Sequence, residues 1–230
     1  MIIGSGLVAT SLTPIDSSDK VFFASGVSNS TETRISAFSR EQELLEQTLK
    51  QYRNKLFIYF STCSIYDDSV NQRPYIHHKL KMEKLIQTSG VRFLIFRLSN
   101  LVGRGGNPNT IMNYFVSHIK QEEEFDLWTN STRNLLSTDD MVFVVRSILK
   151  KQVFGHIINV AYHTSFSVLE IVDRIESFFD IKANVRHSVN KGTKVSIDTA
   201  FISSYLTQID EQRQVSNYIT YLLNTYYHEI

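Results

Sequence analysis

The sequence predicts an α/β fold: a parallel sheet, reduced in strand number and covered by helices on both faces, with a small C-terminal α/β lobe. Two observations carry this class. Strand-length runs such as residues 55–60 (KLFIYF) and 92–97 (RFLIFR) are almost continuously apolar, as in strands buried on both faces. Between such runs lie stretches with helical periodicity, so strands and helices alternate along the chain.

The elements follow in order. Residues 1–9 (MIIGSGLVA) read as a very short strand, a glycine turn and a small-residue helix. Residues 20–26 (KVFFASG) form a second strand ending in small residues, and residues 41–52 are helical through Leu44, Leu45 and Leu49. A third strand at 55–60 runs into the hydroxyl-rich Ser61-Thr62-Cys63-Ser64. The helix at 75–88 is expected to turn Leu80 and Leu85 inward, and a fourth strand covers 92–97. Beyond Asn100 a glycine-rich loop (102–108) leads to a helix at 110–120, a strand at 124–128, a helix at 139–150 and a strand at 156–160. Ser167 is placed to cap an amphipathic helix through Leu169, Val172, Ile175 and Phe178. The expected division is a Rossmann-like domain over 1–100, completed by about 134–162. A substrate-binding lobe is expected from 101–133 and 163–230.

Composition narrows the function. A formal charge of +1 gives no basic excess for nucleic acid, and no apolar run is long enough for a membrane span. The single cysteine, Cys63, excludes an internal disulfide and a cysteine-based zinc cluster and fits a reducing, cytoplasmic setting. No metal site is expected. His77 and His78 point about 100° apart on a helix, so they read as solvated side chains and not as a ligand pair. Cys63 reads as a small buried filler.

Two motifs carry chemistry. Gly4-Ser5-Gly6-Leu7-Val8-Ala9 fits G-x-G-x-x-G/A, in which the glycines permit a tight turn and close approach to a pyrophosphate. A turn that binds nothing has the same pattern. Tyr75-Ile76-His77-His78-Lys79 is Y-x-x-x-K, which sets a phenol and an ammonium on one helix face, where the cation favours the phenolate.

With the hydroxyl-bearing strand end just before that helix, the chain resembles the extended short-chain dehydrogenases/reductases, in particular the NAD-dependent epimerase/dehydratase group acting on nucleotide sugars. Residues 61–67 (STCSIYD) are similar to the family's S-[ST]-x-x-[VI]-Y-G apart from the final glycine. Residues 97–103 (RLSNLVG) resemble R-x-x-N-x-[YV]-G, and residues 133–140 (RNLLSTDD) resemble R-D-[FL]-[IV]-x-V-[DE]-D. The resemblance implies catalytic Thr62, Tyr75 and Lys79, with Lys79 also at the cofactor ribose. It implies cofactor contacts from Gly4, Gly6, Leu7, Ala24 and Ser25, and substrate contacts from Thr62, Asn100, Arg104 and Arg133. For Arg133 and Asp140 a structural ion pair or helix cap is the competing reading. The cofactor implied is NAD or NADP. A homodimer through the helices at 41–52 and 75–88 is expected by analogy.

The sequence also departs from that pattern. Only the fourteen residues 7–20 separate the glycine turn from the next strand, where the family has two more strands and a side chain gripping the adenosine ribose. Dehydratases of the family carry an acidic pair after the threonine, and here those places hold Cys63 and Ser64, which disfavours water elimination. The resulting expectation is an NAD(P)-dependent oxidoreductase or epimerase of a nucleotide-linked keto-sugar, serving surface-polysaccharide biosynthesis. The alternative is a catalytically inactive nucleotide-sugar or partner-binding protein on the same fold that has lost dinucleotide binding. An intact Thr62, Tyr75 and Lys79 favours the first reading, and the shortened segment favours the second.

Overall fold

In the computed structural model, which describes residues 1–213 and 217–228, five strands form a parallel sheet in the order β1 (Ile2–Ile3), β2 (Lys20–Phe23), β3 (Leu56–Thr62), β4 (Phe93–Leu98) and, later in the chain, β9. The helices between them are α1 (Leu7–Ser11), α2 (Ile35–Gln51) and α3 (Pro74–Thr88). The chain continues through β5 (Asn100–Val102), α4 (Ile111–Lys120), β6 (Phe125–Trp128), β7 (Thr132–Arg133), β8 (Leu135–Ser137) and α5 (Thr138–Lys150). After β9 (His156–Val160), which pairs in parallel with β4, come β10 (Phe166–Ser167), α6 (Val168–Phe179), β11 (Val185–Val189), α7 (Ser203–Arg213) and α8 (Tyr218–Tyr226).

The unbroken apolar runs have the expected cause. Alternate residues of each strand feed two cores: Phe22, Ile58, Phe60, Leu94 and Phe96 pack on one face with α5 and the C-terminal helices. Val21, Phe23, Phe57, Tyr59 and Ile95 pack on the other against Leu45 and Leu49 of α2 and Met82 and Ile86 of α3. Each fully buried side chain of this size contributes about 1.5–3 kcal/mol. Ser167 caps α6, its hydroxyl accepting from the Glu170 amide.

Two inward assignments are corrected. Leu80 is 40% exposed and Leu169 is 39% exposed. On α3 the buried face instead carries Tyr75, Ile76, His78, Lys79, Met82, Glu83 and Ile86, because buried polar partners await the polar members of that set. The second helix begins at Ile35, well before residue 41, and α7 and α8 lie in a stretch for which no element is expected from the sequence. Of the lobe expected over 163–230, residues 214–216 and 229–230 lie outside the described residues. Among the described residues no helix is long and apolar enough to cross a membrane.

Candidate active site

A cavity of about 870 Å3 opens at the C-terminal ends of β1 to β4, where open parallel sheets place their ligands. Thr62, Tyr75, Lys79, Gly6, Leu7, Ala24, Ser25, Asn100 and Arg133 all line it. Gly4 stands just behind the wall: its φ of +128° and the 2.4 Å that would separate a Cβ from the Ala24 carbonyl oxygen leave room for glycine alone. Arg104 is exposed and does not line the cavity.

Tyr75 and Lys79 come from the first turns of α3, which Pro74 opens at a position where no backbone N–H is needed. Both are buried, and the Lys79 Nζ sits 5.9 Å from the centre of the Tyr75 ring. The ammonium is anchored from behind. It donates to Glu41 Oε1 at 3.1 Å and to the Tyr59 hydroxyl at 3.2 Å, which leaves one of its three N–H groups for other partners.

Glu41, wholly buried on α2, is the hub of this arrangement. Its carboxylate also accepts from the Tyr59 hydroxyl at 2.6 Å and the Val27 amide at 2.6 Å, with His78 Nε2 at 3.0 Å from Oε2. Burial alone would push its pKa up, but the charge of Lys79 and the bonds from His78, Tyr59 and Val27 hold it at about 2. Burial and the adjacent Glu41 carboxylate push Tyr59 well above the ordinary phenol range, so it stays protonated and keeps its donor. His78 is thus no solvated residue, since its ring is buried and stacks on Phe38 with centroids 4.7 Å apart; His77 is exposed as expected. Nothing in the sequence marked Glu41, whose role exists only because α2 packs beside α3.

Thr62 ends β3 and caps the short 3-10 turn Cys63–Tyr66, its Oγ1 accepting from the Ser64 amide at 3.0 Å and lying 3.0 Å from the Ser64 hydroxyl. Cys63 is buried, its thiol directed at the Arg97 carbonyl oxygen and pushed up to about 12 by burial, so it is no nucleophile. Beneath the site Glu83 takes both a Ser61 hydroxyl bond at 2.6 Å and a bidentate grip from Arg97 at 2.9 and 2.6 Å, which ties α3 to β3 and β4.

Asn100, also in the lining, spends its amide nitrogen on the Asn134 carbonyl oxygen. Arg133 donates to the Thr132 carbonyl oxygen and stands 3.9 Å from Asp67 Oδ2. Burial lowers the proton affinity of Arg133, and nearby Arg73 lowers it further against the pull of Asp67. Asp67 occupies the place of the glycine in the hydroxyl motif. Burial raises its pKa, but bonds from Ser69 and Thr193 bring it below the usual carboxylate range, so it faces the cavity ionised. Asp140 has a different role: it accepts from Arg213 at 2.6 Å and from the Tyr218 hydroxyl at 2.6 Å, a structural ion pair away from Arg133. Among the described residues no group of three or more His, Cys, Asp or Glu is placed to hold a metal.

Known proteins share this fold. The model of the NAD dependent epimerase/dehydratase family matches residues 23–161, more than half of the chain. A dTDP-D-glucose 4,6-dehydratase of Dictyostelium discoideum is 27% identical over 159 residues, covering 57% of this chain and 37% of its own length. The chain therefore spans little more than a third of that relative. Among solved structures, the UDP-glucuronic acid 4-epimerase of Bacillus cereus, in complex with UDP-glucuronic acid and NAD, superposes with a TM-score of 0.73 at 19% identity, covering 96% of this chain and 77% of its own. The UDP-glucose 4-epimerase of Thermus thermophilus in complex with NAD gives 0.70 at 15% identity, covering 92% and 78%. At such identities these likenesses speak for a shared fold. With the family match over β3, β4, β9 and the Tyr75–Lys79 helix, the conclusion is that the chain belongs to the NAD dependent epimerase/dehydratase family.

Proposed function

We propose that this chain is an NAD(P)-dependent epimerase or reductase of a nucleotide-linked sugar, with surface-polysaccharide synthesis, suggested by the family resemblance, as its setting. One observation carries the reading: Thr62, Tyr75 and Lys79 line a single cavity that is also lined by the glycine turn and by Arg133. The segments 101–133 and 163–230 supply the sugar-nucleotide side of that reading.

The residues fit a nicotinamide cofactor at one end. Ala24 and Ser25 follow β2 and line the cavity, and Lys79 has an N–H left for a ribose hydroxyl. A nicotinamide held there supplies hydride exchange with a sugar carbon. The chain's own work is the proton: Tyr75 gives it to or takes it from the sugar oxygen, Thr62 holds that oxygen, and Arg133 meets the anionic part of the substrate. Asn100 contributes to the same lining. Epimerisation or reduction is favoured over dehydration, because Cys63 is held as a neutral thiol and Ser64 is tied to Thr62 where an acid and a base would be needed.

The test uses a built-in reporter. Trp128, the one tryptophan in the sequence, lines the cavity, so reduced nicotinamide bound there should accept energy from it. Saturable energy transfer with NADH or NADPH supports the reading. No binding of either at millimolar concentration overturns it and leaves the non-enzymatic binding protein.

A further inference from the structure

We propose that the cofactor site of this chain grips only a nicotinamide mononucleotide unit, so that the adenosine half of a dinucleotide contributes nothing to binding. The inference rests on the nicotinamide reading above and narrows its ligand class.

Its ground is strand order. A dinucleotide lies across the point where a doubly wound sheet reverses direction, and each half of the sheet holds one mononucleotide. Here the order β1-β2-β3-β4-β9 runs one way from the edge strand β1, with no reversal. Among the described residues β1 pairs with β2 alone, Ile2 opposite Phe22 and Ile3 opposite Phe23, and residues 4–19 lead straight from one to the other. What remains is the half that carries Ala24, Ser25, Tyr75 and Lys79.

The segment that stands in place of the missing half offers no second subsite. The cavity is lined as far as Val8 and again from Ala24, and no residue of 9–23 contributes to its wall. Residues 7–11 form a single short helix, followed by the 3-10 turn Thr13–Ile15. A ribose-gripping carboxylate would have to come from Asp16 or Asp19. Asp16 Oδ1 accepts from the Ser17 amide at 2.8 Å, and Asp19 pairs with Lys20 at 2.5 Å. Asp16 Oδ1 also pairs with the Met1 ammonium, so both carboxylates are spent on partners outside the cavity.

The experiment titrates the 230-residue chain with NADH and with reduced nicotinamide mononucleotide, reading energy transfer from Trp128, and then challenges each complex with AMP. Affinities within about tenfold of each other, with AMP displacing neither ligand, are the expected result. A gripped adenosine with two or more hydrogen bonds would tighten binding about 30- to 150-fold, so NADH binding tighter by more than tenfold, or displacement by AMP, overturns the inference while the proposed function stands. Failure of both nicotinamides to bind overturns the two together.

Discussion

Replacing Glu41 by Gln tests the buried cluster that fixes Lys79. In the folded chain Glu41 titrates at about 2 against an ordinary 4.5, and a shift of that size corresponds to about 3 kcal/mol of stability at neutral pH. A second route gives a similar figure, since removing one partner of a buried ion pair costs about 3–5 kcal/mol and Lys79 would be left buried with an unpaired charge. For a chain of this length that loss lowers Tm by about 6–12 °C. Because the folded pKa is depressed, the stabilisation is complete above the unfolded value and disappears as pH falls through the folded one. Urea unfolding at a series of pH values should therefore show the gap between wild type and E41Q narrowing from about 3 kcal/mol at pH 7 to about half that at pH 3. Adding Lys79→Met to E41Q should recover part of the loss. A loss below about 1 kcal/mol, or one that does not change with pH, would refute the assignment of Glu41 as the anchor.

Further predictions follow from single positions. Gly4→Ala forces a side chain into a left-handed backbone and onto the Ala24 carbonyl, and should cost more than about 2 kcal/mol by denaturant unfolding and abolish Trp128-to-NADH energy transfer. Thr62→Ala removes the cap on the turn Cys63–Tyr66, so about 1 kcal/mol of stability should be lost together with about 10²-fold in turnover at unchanged NADH affinity. Leu80→Lys changes an exposed position and should leave stability within about 0.5 kcal/mol of wild type.

The sheet was legible because its signal is local and chemical: residues 56–60 and 93–96 are apolar on both faces, and only a doubly covered parallel strand needs that. The Tyr75–Lys79 pair was legible because a helix turns the spacing into proximity. Periodicity misled on α3, where Leu80 was read as inward although His78, Lys79 and Glu83 take the buried face. Apolar spacing cannot anticipate buried polar residues, whose burial is tolerated only because Glu41 and Arg97 come from other elements to satisfy them. Glu41 itself was invisible for the same reason, and so was Asp67, whose Thr193 partner lies far along the chain. The short strands β7 and β10 pair with each other across a wide separation in sequence and had no local pattern to betray them. The brevity of residues 7–20, by contrast, was plain in the sequence and corresponds to the edge position of β1.

The most direct measurement is turnover of nucleotide-linked hexoses by wild type and Tyr75→Phe, with sugar products resolved by chromatography and NADH affinity read in parallel from Trp128. Loss of the phenolic proton should cut conversion by about 10²–10⁴-fold while NADH binds as before. Conversion by Y75F at the wild-type rate would contradict the account.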